Sequence, residues 1–81
     1  MAGKKEITVY GKTYQVQHPG PRWYLQLQDR VRTRGGSIQQ EKYVDELLEH
    51  IVIEPKVRVE DFGNIAELEE MVSQLEKFLR G

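Results

Sequence analysis

The sequence predicts a single small α+β domain in which an N-terminal β-hairpin packs on about three α-helices. Two alternating apolar segments precede residue 18, and the apolar period of an α-helix recurs along the chain after residue 20. A length of 81 residues leaves room for one hydrophobic core. We expect residues 1–81 to form this one domain, with residues 1–5 as a flexible N-terminus.

The absence of cysteine limits what can stabilise so small a core. Neither a disulfide nor a thiolate metal site is available, and a reducing compartment is favoured. Small domains without such support often gain stability from a partner or from copies of themselves. Homo-oligomerisation is therefore an open expectation.

The predicted hairpin consists of residues 7–10 and 13–16, separated by Gly11 and Lys12. Glycine at the first position of a two-residue loop is typical of a type II′ turn. The register that this turn sets places four apolar side chains on one face, in the pairs Val9–Tyr14 and Ile7–Val16. A hairpin alone is only marginally stable in water, so we expect this face to cover the helices.

The first helix is expected to run from about Arg22 to Arg32. Pro21 suits the first helical position, where a missing N–H costs nothing, and Gly20 can cap the helix. Its apolar stripe consists of Trp23, Tyr24, Leu27 and Val31.

The second helix is the element around which the rest of the chain should pack. Ser37, with Gln40 three residues later, fits a capping box at its start. Pro55 excludes Glu54 from the α region, so the helix should end between residues 50 and 53. Its apolar face consists of Tyr43, Val44, Leu47, Leu48 and Ile51.

After this helix, residues 57–59 alternate and form either a short third strand or an extended connector. Asn64, with Glu67 three residues later, predicts the start of the last helix. The apolar residues of that helix follow a coiled-coil spacing at Ile65, Leu68, Val72, Leu75 and Leu79, with Met71 and Phe78 widening one flank. Barely two heptads are present, so we expect this seam to pack within the molecule.

The charges are divided unevenly along the chain. Residues 1–35 carry seven Lys or Arg and two Asp or Glu, a net +5, whereas residues 36–81 carry five and eleven, a net −6. Halves of opposite sign attract each other within the fold or between copies in a head-to-tail assembly. Two solvated faces that differ in sign are the simpler interpretation, because exposed ion pairs contribute little.

Few residues in the chain suggest catalysis. Glu46 and His50 lie four apart and could share a metal ion, but a catalytic zinc site takes three protein ligands. His18 precedes a proline and is better explained as a turn residue than as a base. Serine is found only at Ser37, a predicted cap, and Ser73, on a polar helix face. We expect no enzymatic activity, no metal and no cofactor.

Basic and aromatic residues in the first half raise the possibility of nucleic-acid binding. The set consists of Arg22, Arg30, Arg32 and Arg34 with Trp23 and Tyr24 nearby. A net charge of −1 and the acidic second half disfavour this function.

The chain also gives no sign of a membrane association. No segment approaches the ~20 apolar residues that a membrane-spanning helix needs. The charged start lacks the apolar core of a signal peptide. We expect a cytoplasmic protein with no membrane partner.

The order of several short motifs is similar to that of a known family. In chain order these motifs are His18-Pro19-Gly20, Tyr24-Leu25, Asp29-Arg30, Glu41-Lys42-Tyr43, Glu46-Leu47-Leu48-Glu49-His50-Ile51-Val52, Glu54-Pro55-Lys56-Val57, Asp61-Phe62 and Glu67-Leu68-Glu69-Glu70. The arrangement resembles the small tail assembly chaperones of long-tailed bacteriophages and of prophages in Gram-positive bacteria. The resemblance covers about residues 7–79, and its motifs are structural, with no catalytic signature.

The resemblance implies a binding function in the cytoplasm of the host cell. Members of this family coat the long, helical tape-measure protein, keep it soluble and recruit tail-tube subunits, and they are absent from the finished tail. It therefore implies a non-enzymatic protein of phage tail morphogenesis whose partners are the tape-measure and tail-tube proteins. Two alternatives stay open: a small nucleic-acid-binding or regulatory phage protein, and a minor structural subunit of the tail.

Candidate contact residues follow from the kind of partner that this function requires. Large or adaptable apolar side chains at helix edges are good anchors for an amphipathic partner helix. The candidate partner-binding residues are Trp23, Tyr24, Met71 and Phe78. The alternative for each is ordinary membership of the core, which we favour for Trp23.

Overall fold

The expected α+β architecture is confirmed in a computed structural model, which describes residues 4–81. In this part of the chain three strands form one antiparallel sheet in the order β1-β2-β3, accompanied by three α-helices. The elements in chain order are β1 (Lys4–Val9), β2 (Lys12–Gln17), α1 (Pro21–Val31), α2 (Gln40–His50), β3 (Val52–Glu54), a short 3₁₀ turn (Val59–Asp61) and α3 (Ile65–Arg80).

The hairpin turns at Tyr10 and Gly11, so the predicted loop at Gly11 and Lys12 is wrong by one position. Both turn residues have positive φ, 50° and 80°, as in a type I′ turn, whose twist matches that of the strands. The register therefore pairs Ile7 with Tyr14 rather than with Val16. This shift of two residues preserves the alternation, and the four apolar side chains still share the buried face.

Strand β1 begins earlier than the expected flexible segment allows. Lys4 and Lys5 pair with Gln17 and Val16 and so belong to the strand. Residues 1–3 of that segment lie outside the described residues.

Helix α1 begins as the sequence predicts, but α2 does not. Gly20 caps α1 with a φ of 104°, and Pro21 is its first residue. The capping box expected at Ser37 is absent: Gln39 precedes α2, and no side chain caps it. The N–H of Ser37 instead donates to Oγ1 of Thr33 at 3.2 Å, so Ser37 closes the α1–α2 loop.

Strand β3 follows α2 directly. Of the two alternatives for residues 57–59, the strand is wrong: residues 57 and 58 form a connector, and Val59 begins the 3₁₀ turn. Val52 pairs with Val16 and extends the sheet beyond β2. Lys56 fixes this junction, because its Nζ donates to the carbonyl oxygens of Glu49 at 2.7 Å and Val52 at 2.9 Å. A cation is favoured at this position, where the last carbonyls of α2 lack partners.

The core lies between the apolar face of the sheet and the helices. Its buried members are Ile7, Val9, Tyr14, Val16, Leu27, Val31, Tyr43, Leu47, Leu48, Ile51, Val52, Met71 and Leu75.

The side chain of Asn64 caps α3 as expected, accepting the N–H of Glu67 at 2.9 Å. Farther along α3, Nε2 of Gln74 donates to the carbonyl oxygen of Thr8 at 2.7 Å and joins α3 to β1.

The expected seam of α3 is not its most buried face. Met71 and Leu75 are fully buried, whereas Ile65 is 67% exposed and both Leu68 and Val72 are half-buried. At 3.6 residues per turn, the stripe of Ile65, Leu68 and Val72 lies roughly 70° around the helix from Met71 and Leu75. The helix therefore has two adjacent apolar stripes, of which only one faces the core.

Candidate partner-binding site

An apolar groove lies between α2 and α3, with the 3₁₀ turn also contributing to its wall. Its volume is about 420 Å³. The apolar lining residues are Val44, Val59, Ile65, Leu68 and Val72. The second stripe of α3 thus forms one wall of an open groove instead of a contact with the core.

Carboxylates surround this groove. Glu41 comes from α2, and Glu69 and Glu76 come from α3, while Gln40 and Ser73 are its uncharged polar members. No Lys or Arg of residues 4–81 is among the lining residues. The groove therefore combines an apolar floor with a negative rim, which raises the local concentration of positively charged groups.

Ile65 is the residue that marks the groove as incomplete. The large apolar side chains that the described chain leaves exposed are Tyr10, Leu25 and Ile65. Of these three, only Ile65 lines this groove, where it lies one turn before Leu68. An exposed apolar patch with a polar rim is typical of an interaction site.

One rim carboxylate is held in place by a buried tyrosine. Oη of Tyr43 donates to Oε2 of Glu76 at 2.7 Å, which joins α2 to α3 at the groove. Burial raises the pKa of the Tyr43 hydroxyl above its ordinary value, and the bond to Glu76 and the nearby Tyr24 raise it further. Tyr43 therefore stays protonated as the donor, and Glu76 is the acceptor.

The four residues chosen from the sequence do not line this groove. Met71 is fully buried in the core stripe of α3, which is the alternative that the sequence also allowed for it. Trp23 is half-buried, with its ring centre 5.7 Å from that of His50. Tyr24 is half-buried near Tyr43, and Phe78 is half-buried with an edge-on contact to His18.

Sequence reasoning missed the groove because it placed Ile65, Leu68 and Val72 in the seam that packs within the molecule. It looked for partner contacts on the flank of Met71 and Phe78 instead. The sequence did show that α3 has more apolar residues than one core-facing stripe needs, because Ile65, Leu68 and Val72 are present in addition to Met71 and Leu75. One helix face does not need so many apolar positions to contact a core this small.

The two histidines have structural contacts. Nδ1 of His18 accepts the N–H of Gly20 at 3.0 Å, which leaves Nε2 to donate to the carbonyl oxygen of Leu79 at 2.8 Å. Nε2 of His50 is 3.4 Å from Oε1 of Glu46, as the sequence spacing suggested. In the described chain, no group of three His, Cys, Asp or Glu side chains could hold a metal ion.

A second, larger depression near His50 has a different character. Its volume is about 880 Å³, and His50 lies in it beside charged residues of both signs: Asp45, Glu49, Lys56, Arg58 and Glu60. Lys56 already donates to two backbone carbonyls, so this cation belongs to the helix–strand junction. The larger volume therefore does not make this depression the better site, because Leu48 and Val57 are its only apolar lining residues.

Part of the basic and aromatic set contacts other parts of this chain. Nη2 of Arg30 pairs with Oε1 of Glu46 at 2.9 Å, and Cζ of Arg30 lies 5.9 Å from the centre of the Trp23 ring. Both side chains thus connect α1 to α2, which reduces the surface that could bind phosphates and bases.

The helices of residues 4–81 are too short or too polar to cross a membrane.

Comparison with known proteins adds no relative. No family model matches the chain, and no curated protein or solved structure matches it. The groove is therefore interpreted from its own geometry.

Proposed function

We propose that this protein is a non-enzymatic tail assembly chaperone of a long-tailed phage or prophage. It works in the cytoplasm of the host cell, binds helical segments of the tape-measure protein and brings them to tail-tube subunits. The order of motifs supports this family, and the groove between α2 and α3 supports a binding function for a helical partner.

The observation that carries the proposal is the exposure of Ile65 beside Leu68 and Val72. An amphipathic helix laid between α2 and α3 would cover these side chains with its own apolar face. Full burial of a side chain such as that of Ile65 contributes about 1.5–3 kcal/mol. Both partners then hide apolar surface that would otherwise cause aggregation in water.

The rest of the molecule fits the task of keeping such a partner soluble. Charged residues are frequent and mostly exposed: 31% of the chain is Asp, Glu, Lys or Arg. When a partner helix places its apolar face in the groove, the resulting complex presents this charged surface to solvent. Several copies along a long helix would coat it.

Co-expression with the tape-measure protein of the same phage tests the proposal. We expect the soluble fraction of the tape-measure protein to rise with the wild-type chain and to fall back with Ile65→Ser. Leu25→Ser is the matched control, because Leu25 is 65% exposed on α1 and lies outside the groove. Unchanged tape-measure solubility with the wild-type chain would contradict the chaperone function. Detection of this chain itself in purified tails would indicate a structural subunit instead.

A further inference from the structure

We infer that the occupant of the groove is a basic amphipathic α-helix, in which Lys or Arg residues flank an apolar stripe. This inference rests on the proposed function, because it specifies the chemistry of the partner segment that the chaperone binds. Its starting point is the pairing of an apolar floor with a rim that carries Glu41, Glu69 and Glu76.

The charge of the rim selects among amphipathic helices. Glu41 and Glu69 are exposed, and their carboxylates border the groove from α2 and α3 respectively. Glu76 is half-buried and accepts the hydrogen bond of Tyr43, so its carboxylate is held in place. An acidic helix would meet repulsion from both walls, whereas Lys or Arg beside the apolar stripe would be attracted.

A second copy of this chain is a poorer occupant. Among residues 4–81, each exposed large apolar side chain belongs to a different element: Tyr10 to the hairpin loop, Leu25 to α1 and Ile65 to α3. None of the described helices therefore presents two such residues on one exposed face. The groove has apolar side chains on both walls, and a helix that fills it needs apolar residues at spacings of three and four.

Two labelled peptides of about 18 residues, or about five helical turns, test this inference with the full-length protein. Both carry the same leucine stripe, and the other positions are mainly lysine in one and mainly glutamate in the other. We expect fluorescence anisotropy to show that the lysine peptide binds, and that raising the salt weakens it, because exposed charges are screened. The glutamate peptide should bind at least about tenfold more weakly.

Variants then place the lysine peptide in the groove. The double variant Glu41→Lys/Glu69→Lys should bind the lysine peptide about tenfold more weakly, because each change replaces an attraction by a repulsion. Lys42→Glu/Lys77→Glu, at exposed positions outside the groove, is the opposite control and should leave affinity unchanged or slightly higher. Ile65→Ser should also weaken binding, whereas Leu25→Ser should not.

Each other result overturns the inference. Equal binding of both peptides, or no effect of the double variant, would mean that the rim does not select a basic helix. A mass in light scattering that exceeds the monomer and falls with Ile65→Ser would make a second copy the occupant. If these results accompany a tape-measure protein that the chain still keeps soluble, the proposed function stands and only the partner chemistry is wrong.

Discussion

Tyr43 on α2 and Glu76 on α3 are joined by a 2.7 Å hydrogen bond beside the groove. This contact links the two walls of the candidate site, and the donor is buried while the acceptor is half-buried. It therefore affects both the stability of the domain and the geometry of the groove.

Tyr43→Phe should destabilise the domain by about 1–3 kcal/mol, because it removes a hydrogen bond to a charged group and leaves Glu76 without its partner. Urea unfolding monitored by circular dichroism measures the change. Tyr10→Phe is the control, since Tyr10 is in the exposed hairpin turn, and its effect should stay within about 0.5 kcal/mol. Equal effects of the two substitutions would contradict the role of the Tyr43 hydroxyl.

The same contact predicts how stability responds to alkaline pH. The pKa of Tyr43 is raised in the folded state above its ordinary value of 10.0. The folded state thus holds this proton more tightly, so the stabilisation is complete below pH 10 and is lost as pH rises above it. The loss is at most about 1.4 kcal/mol per pH unit for one group.

Comparing wild type with Tyr43→Phe separates this contribution from that of Tyr14, whose pKa is raised by burial, by Glu67 and by Asp61. The free energy of unfolding, measured at several pH values above 10, should fall more steeply in the wild type. Parallel curves for the two proteins would show that Tyr43 does not titrate in this way.

The two apolar stripes of α3 predict opposite responses to truncation. Met71→Ala should cost about 2–5 kcal/mol, because Met71 is fully buried. Ile65→Ala should change the free energy of unfolding by no more than about 0.5 kcal/mol, because most of its side chain is in water. The reverse order, measured by urea unfolding, would indicate that the helix packs through the seam that the sequence suggests.

The hairpin turn offers a stabilising change. Tyr10 has a φ of 50°, which asparagine adopts more readily than tyrosine, and Asn-Gly is the preferred type I′ pair. Tyr10→Asn should therefore stabilise the domain by about 0.5–1 kcal/mol in thermal unfolding. Lys12→Asn is the control and should have no such benefit, because Lys12 belongs to strand β2. A gain from Lys12→Asn alone would favour the loop at Gly11 and Lys12.

His18 should be more important for stability than His50, although both are histidines near helix ends. His18→Leu removes the bonds to Gly20 and Leu79 and should cost about 1–2 kcal/mol. Hydrogen exchange should also speed up in the last turn of α3. His50→Leu, at an exposed position, is the control and should cost about 0.5 kcal/mol or less. Slow exchange retained in that turn in the His18 variant would contradict this role.

The parts of the fold that local patterns determine could be predicted from the sequence. The period of two placed Ile7 and Val9 on the buried face whichever register formed. The register itself could not be predicted, because Gly11 suits either the first position of a type II′ turn or the second of a type I′ turn. The position of β3 depends on its pairing with β2, and no local sequence pattern predicts that contact.

The candidate site was harder to predict, because it depends on which of two stripes a helix turns toward its neighbours. The sequence shows that Ile65 and Met71 are both apolar but not which one faces the core. That choice is made by packing against α2 and β1, which fully buries Met71 and leaves Ile65 exposed. The sequence shows that the rim residues are polar. Only the structure shows that the rim residues of α2 and α3 lie around one groove.

The bond from Gln74 to Thr8 has a further consequence for the free edge of the sheet. β1 is an outer strand of the sheet, where free backbone groups can recruit a strand from another molecule. The Gln74 side chain occupies one of those carbonyls, and Lys4 and Lys5 add charge at the start of the strand. Crowded copies are thereby discouraged from joining their sheets into fibres.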